Sequence, residues 1–316
     1  MRSAPRTLAL AAALVAAMPA IELLASPPAP FLLAVVRRDG VVIPFADYAG
    51  RKWKTHWPVP GEKREVPLTL ADVPGGWWGS VPHTAAWGIW PVGSVRQPLT
   101  IYGPVLFYPH CQTNIGLRSS YQALEPIPPP TQHHHPKDGV AIAGAAIPVE
   151  PITVLNEASP EWALIPKVIG DGFNRAEDAV RGAANAQFAP IADTQRQTAP
   201  TTLEVLCRSA GGLPGASIYY FEAVRRYAPL TFGQATFFWG LAHQDVTGKF
   251  AVYLYAVPTM GQMREVTYTT PLAMIRVEDV PLWIVQRAGF GWEEYAVLDV
   301  SKPKPTVVIA TYGGGC

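Results

Sequence analysis

Prolines set the first limit on this fold. Pro58, Pro60, Pro67, Pro74, Pro82, Pro91 and Pro98 interrupt the first third of the chain every few residues. A proline inside a helix removes a backbone donor and clashes with the preceding turn, so long helices are excluded there. The runs between these prolines are rich in Val, Ile, Leu and aromatic residues, which suit strands. Phe31–Arg37 and Val41–Ala46 flank Arg38-Asp39-Gly40, and Asp-Gly between two such runs predicts a hairpin. Further strands are expected at Thr84–Trp90 and Leu99–Tyr108. The chain is 49% hydrophobic and only 16% charged, the opposite of a disordered composition. Residues 30–125 thus read as a Trp/Pro-rich β region.

Residues 126–150 read as a Pro/His-rich linker, and 151–200 as a helical segment. Within the latter a helix is predicted around 159–188. Ser159 suits the N-cap, Pro160 the first helical position and Glu161 the first turn. Trp162, Ile165, Ile169 and Phe173 recur at spacings of three or four, the period of one helix face. Pro166 and Gly170 weaken that helix, which is expected to kink there or to divide before a second piece from Asn174. Ala189–Thr202 reads as loop. From 201 to 316 strands return at short intervals with no helix between them: Ile218–Tyr227, Ala235–His243, Phe250–Val257, Pro271–Val277, Leu282–Gln286, Glu294–Val300 and Thr306–Tyr312. The fold class is therefore mainly β (or α+β), an antiparallel sandwich or meander with one helical segment and Pro-rich loops.

The N-terminus bears on compartment. Arg2 and Arg6 precede the apolar Leu8–Ala17, then small residues and Ser26-Pro27-Pro28. This is the layout of a secretory signal peptide, expected to cover 1–26 and to direct the protein to the periplasm or outside the cell. Pro19 and Glu22 stop the run short of the ~20 apolar residues a bilayer span requires. No stable membrane span is expected after cleavage. A net charge of +1 with no long basic run offers nothing to nucleic acid.

Three cysteines in an oxidising compartment allow one intramolecular disulfide at most. If Leu203–Arg208 is a strand, Leu203, Val205 and Cys207 share one face, and Cys207 behaves as a small buried hydrophobe. The expected pair is Cys111 with Cys316.

The common catalytic signatures are missing: no Gly-x-Ser-x-Gly, His-Glu-x-x-His, P-loop, Rossmann fingerprint, EF-hand loop or Cys-x-x-Cys occurs. Residues brought together from distant positions leave no such trace. His243 and Asp245 would share a strand face, where Asp could orient a His general base. Glu293 and Glu294 suggest the paired carboxylates of glycosidases, although adjacent strand residues diverge. His110 next to Cys111 invites a thiol reading that the same divergence disfavours. His133, His134 and His135 carry metal-ligating imidazoles, but consecutive residues of an extended segment point apart, so a solvated patch is the plainer reading. No cofactor is expected.

Six of the ten tryptophans fall between residues 53 and 90. Trp77 and Trp78, in Gly75-Gly76-Trp77-Trp78-Gly79, are the ligand-binding candidates, since indole faces stack on sugar rings; core packing is the competing role. The expectation is an exported non-catalytic protein that binds cell-wall or other polysaccharide. A secreted glycan hydrolase and an envelope protein-interaction module are the alternatives.

Overall fold

The computed structural model describes residues 29–55, 59–61, 68–73, 75–82, 84–123, 137–183, 191–227, 234–260 and 266–316. The expected signal peptide, 1–26, lies outside them. Strands make up 54% of the described residues, and every pairing among them is antiparallel.

The first half forms sheet A. Its strands are β1 (Phe31–Val36), β2 (Val41–Ala49), β3 (Lys52–Lys54), β4 (Val59–Pro60), β5 (Trp87–Pro91), β6 (Gln97–Leu99), β7 (Ile101–Phe107), β8 (Asn114–Ser119) and β9 (Gly139–Gly144). The main path is β4-β8-β2-β1-β9-β5-β6, with β3 on β2 and β7 on β8. Asp39-Gly40 makes the expected hairpin: Gly40 sits at φ 81°, a left-handed conformation that glycine adopts without strain. The stretch 126–150, read as a linker, contains β9, which runs through the middle of sheet A between β1 and β5. Val140, Ala141, Ile142 and Ala143 are all buried. A strand covered on both faces shows no apolar-polar alternation, and its small residues resemble a loose connector.

Two short strands then diverge. β10 (Val149–Pro151) joins sheet B and β11 (Thr153–Leu155) joins sheet C, with buried Ile152 between them. Helices α1 (Pro160–Ile169), α2 (Gly172–Ala183) and α3 (Asp193–Thr198) follow. Sheet C continues with β12 (Thr202–Ala210), β13 (Ser217–Arg226), β14 (Gln234–Gln244) and β15 (Phe250–Met260). Sheet B continues with β16 (Tyr268–Val277), β17 (Val280–Gly289), β18 (Trp292–Asp299) and β19 (Thr306–Gly315). Each sheet has five strands: sheet C runs β11 to β15 in chain order, and sheet B is the meander β16 to β19 with β10 paired on the outside of β16.

The layers stack as helices, sheet C, sheet B, sheet A. Side-chain alternation along β17 shows why. Leu282 and Ile284 join the core shared with sheet A, whereas Trp283 and Val285 join the core shared with sheet C. β18 does the same, with Tyr295 and Val297 on one side and Ala296 and Leu298 on the other. Trp283 is 1% exposed and donates its indole N–H to Ser209 Oγ at 3.0 Å across the sheets.

β12 departs from simple alternation. Leu203 pairs with Ala223 but Val205 with Glu222, so Glu204 is an extra, bulged residue. Val205 and Cys207 face sheet B, while Leu203 and Leu206 face the helices. Cys207 is buried as expected, but the bulge removes Leu203 from its face.

The predicted helix divides at Gly170, whose φ of 48° ends α1. Ile165, Ile169 and Phe173 pack on sheet C. Ser159 makes no side-chain cap, its hydroxyl lying instead against Asn156. α3 occupies part of the segment read as loop. A buried carboxylate fastens α2 and α3 to the sheet. Glu177 is fully buried and receives Arg225 at 3.0 Å, Arg196 at 3.1 Å and the Tyr227 hydroxyl at 2.7 Å. Thr236 donates to it as well, and Arg181 lies 3.7 Å away. Burial alone would raise the pKa of Glu177, but the hydrogen bonds from Thr236 and Tyr227 and the Arg225 charge hold it below its ordinary value.

The chain ends by returning to sheet A. Cys111, ahead of β8, is disulfide-bonded to Cys316, beyond β19, across a sequence separation of 205. Asn114 Nδ2 donates to Gly313 O at 2.9 Å beside it.

Removing one member of a buried ion-pair cluster strands the others. Glu177→Ala is expected to cost about 3–5 kcal/mol, read as a lower urea midpoint, with α2 and α3 becoming protease-sensitive.

Candidate functional site

A cleft of about 370 Å³ opens between sheets C and B. On the sheet C side it is walled by Tyr220 from β13, Trp239 and Leu241 from β14, and Tyr255 and Val257 from β15. Thr267, Thr269, Arg287 and Leu298 line the sheet B side, with Val307 and Pro305. Register explains the aromatic wall. Trp239 stands directly opposite Tyr255, with ring centroids 5.9 Å apart, and Tyr253 meets Trp239 at 5.7 Å. Tyr255 is 47% exposed and Val307 49%, so the cleft presents apolar surface to solvent.

Its polar groups sit opposite and beneath that wall. Arg287 Nη1 donates to Glu294 Oε1 at 2.6 Å across β17 and β18, which fixes the guanidinium at the cleft. Tyr220 and Glu222, two apart on β13, share the inward face. The Tyr220 hydroxyl donates to Glu222, and the Thr269 backbone N–H donates to Glu222 Oε1 at 3.2 Å. Glu222 is 4% exposed. Burial pushes its pKa up to about 7, against the pull of those two donors. A carboxyl group that is half-protonated near neutrality therefore lies behind the cleft wall.

The residues singled out by sequence are dispersed. Trp77 is 1% exposed in the core beneath sheet A, and half-buried Trp78 packs edge-on to it at 4.9 Å. The indole face expected to meet a ligand at Trp77 is covered by protein. Glu293 and Glu294 diverge as adjacent strand residues must: Glu293 turns toward sheet A and Lys137, and Glu294 toward sheet C and Arg287. His243 and Asp245 line a second hollow of about 500 Å³ with Gly211, Leu213, Lys249 and Pro303. Asp245 Oδ1 accepts from the Thr247 and Lys249 N–H groups and the Thr247 hydroxyl, which fold the turn. Asp245 is thus committed to its own turn, and those hydrogen bonds lower its pKa. Burial lowers the pKa of His243.

His133, His134 and His135 lie outside the described residues. Among those described, no group of three or more His, Cys, Asp or Glu could hold a metal. No helix among them is long and apolar enough to cross a membrane. Cys207 is a buried thiol pushed up to about 12, mainly by desolvation and further by Glu222.

The cleft residues escaped the sequence reading, although a signal existed. Phe237-x-Trp239, Tyr253-x-Tyr255 and Tyr220-x-Glu222 each put two large or polar groups on one strand face. A glutamate in the otherwise apolar Ser217–Val224 run was the plainest mark. Comparison with known protein families, with curated proteins and with solved structures yields no match.

A carboxyl whose folded pKa is raised takes up protons on folding. Its contribution to stability is complete below its ordinary value near 4.5 and is lost as pH rises through about 7. Between pH ~5 and ~8 Glu222 is expected to remove on the order of 3 kcal/mol of stability. Urea midpoints of wild type and Glu222→Gln across that range check this: the slope should flatten in the variant.

Proposed function

We propose that this chain is an exported, non-catalytic binding protein and that its ligand is an envelope glycan, one sugar ring of which enters the cleft between sheets C and B. The aromatic wall of Trp239 and Tyr255, facing Arg287, carries this reading. A sugar ring has an apolar face that stacks on an aromatic ring and hydroxyls that need donors and acceptors. Thr267, Thr269 and Arg287 supply these across the cleft. The cleft volume falls within the roughly 300–1,000 Å³ of small-ligand sites. The Cys111–Cys316 disulfide supports export, because such bonds persist in oxidising compartments.

One observation favours a hydrolase as the second reading. Glu222 is a carboxyl near pKa 7 adjoining the cleft, and a raised carboxyl is what a general acid at neutral pH requires. The two readings separate in a single experiment. Soluble fragments of peptidoglycan and of several polysaccharides are titrated against the purified protein, with tryptophan fluorescence and released reducing sugar both followed. Saturable binding without release is expected. Trp239→Ala and Tyr255→Ala should each weaken it roughly tenfold or more, about 1.4 kcal/mol, while Trp78→Ala leaves it unchanged. Sugar release abolished by Glu222→Gln would favour the hydrolase, and binding indifferent to Trp239 would overturn the proposal.

A further inference from the structure

Away from the cleft, on the opposite face of sheet B, four polar side chains meet inside the core shared with sheet A. Lys137, just before β9, has a side chain 1% exposed, and Glu293 on β18 one 2% exposed. Gln286 on β17 and Tyr295 on β18 are fully buried. Lys137 Nζ lies 2.7 Å from Glu293 Oε2, and Gln286 Nε2 donates to that same oxygen at 3.1 Å. The backbone N–H of Lys137 donates to Gln286 Oε1 at 3.1 Å. The Tyr295 hydroxyl donates to Glu293 Oε1, and Nζ stands 5.4 Å from the centre of the Tyr295 ring. Phe45 packs on that ring from sheet A.

An isolated ion pair is a poor use of this position. Desolvating both charges costs about as much as their attraction returns, and apolar replacements are often as stable. The set holds more than an ion pair, however. A primary amine and a primary carboxamide meet on one carboxylate oxygen, among side chains that are all buried.

We propose that Lys137 and Gln286 become joined by an isopeptide bond that the protein forms itself, with Glu293 as the catalytic residue that moves the protons. The Nζ lone pair attacks Gln286 Cδ, and the new C–N bond pushes electrons onto Oε1. The Lys137 backbone N–H already points at Oε1, where it stabilises the developing oxyanion. Glu293 Oε2, in contact with both nitrogens, takes a proton from Nζ and delivers it to Nε2. The Cδ–Nε2 bond then breaks and ammonia leaves. An amine and a primary carboxamide give a secondary amide and ammonia, with no oxidant, cofactor or other reactant.

The surroundings favour each step. Desolvation lowers the pKa of the Lys137 amine, against the pull of Glu293, which brings the nucleophilic neutral form within reach. Burial pulls Glu293 upward, but the Lys137 charge and the hydrogen bonds from Lys137 and Tyr295 prevail and keep it in the basic form. Holding amine and carboxamide on one oxygen atom makes the attack unimolecular. Exclusion of water disfavours hydrolysis of the intermediate. The product would fasten the start of β9 in sheet A to β17 in sheet B, as the disulfide fastens the loop ahead of β8 to the end of β19.

Mass spectrometry of the wild-type protein tests this without relying on any variant to fold. With the mature N-terminus determined and the Cys111–Cys316 disulfide reduced, the intact mass should be one ammonia below that of the sequence. Proteolysis should yield a branched peptide in which Lys137 Nζ is acylated by the side chain of residue 286. Glu293→Gln and Lys137→Arg should both restore the full mass. A wild-type chain of full mass, giving separate peptides with unmodified Lys137 and Gln286, would overturn the proposal. So would a branch to Glu293 with loss of water, which would make Glu293 the acceptor rather than the proton carrier.

Discussion

The central strands of sheet B, β17 and β18, are covered on both faces, by sheet A on one side and sheet C on the other, and this constraint organises everything around them. Antiparallel sheets commonly leave one face to solvent, where polar residues collect. Strands β17 and β18 have no such face. Leu282, Ile284, Tyr295 and Val297 fill one core while Trp283, Val285, Ala296 and Leu298 fill the other. A polar residue on these strands must therefore find a partner within the protein or border a cavity. The ends of the strands follow that rule. Gln286 and Glu293 turn toward sheet A and bond to Lys137, while Arg287 and Glu294 turn toward sheet C and pair at the rim of the cleft.

Three buried carboxylates show how environment divides their roles. Glu177 is surrounded by guanidiniums and hydroxyls and stays below its ordinary pKa. Glu293 accepts from one ammonium, one phenol and the Gln286 carboxamide and is also held down, chiefly by the ammonium. Glu222 accepts from a phenol and a backbone N–H, with no cation among the described residues holding it down, and burial pushes it up to about 7. The same side chain is thus a structural clamp in the first case, a base against a buried amine in the second and an acid raised toward neutral pH beside the cleft in the third. What separates them is the charge within reach.

Much of the β architecture was legible because local chemistry and tertiary packing agree. Ala235–His243 and Pro271–Val277 lie inside β14 and β16, where β-branched and aromatic residues are bounded by turns. The helix face of Ile165, Ile169 and Phe173 was legible from its period, and Gly170 from its freedom to take positive φ. β9 was hidden because Val140–Ala143, buried on both faces, offers neither alternation nor large side chains. The bulge at Glu204 was hidden because it is fixed by pairing with β13. The order of the sheets rests on contacts such as Trp283 with Ser209, 74 residues apart. The cleft depends on Trp239 and Tyr255 standing opposite each other across two strands. Trp77 and Trp78 drew attention as a local cluster, yet in this Pro-rich half large aromatics are what fills the core.

The claim that sheet B is the shared wall of both cores is tested most directly by native-state hydrogen exchange. If it holds, the amides of Leu282–Val285 in β17 exchange only by global unfolding, with the same free energy and denaturant dependence as the most protected amides of β1 and β13. Exchange of β17 through a smaller opening, with sheet A or sheet C still protected, would contradict it.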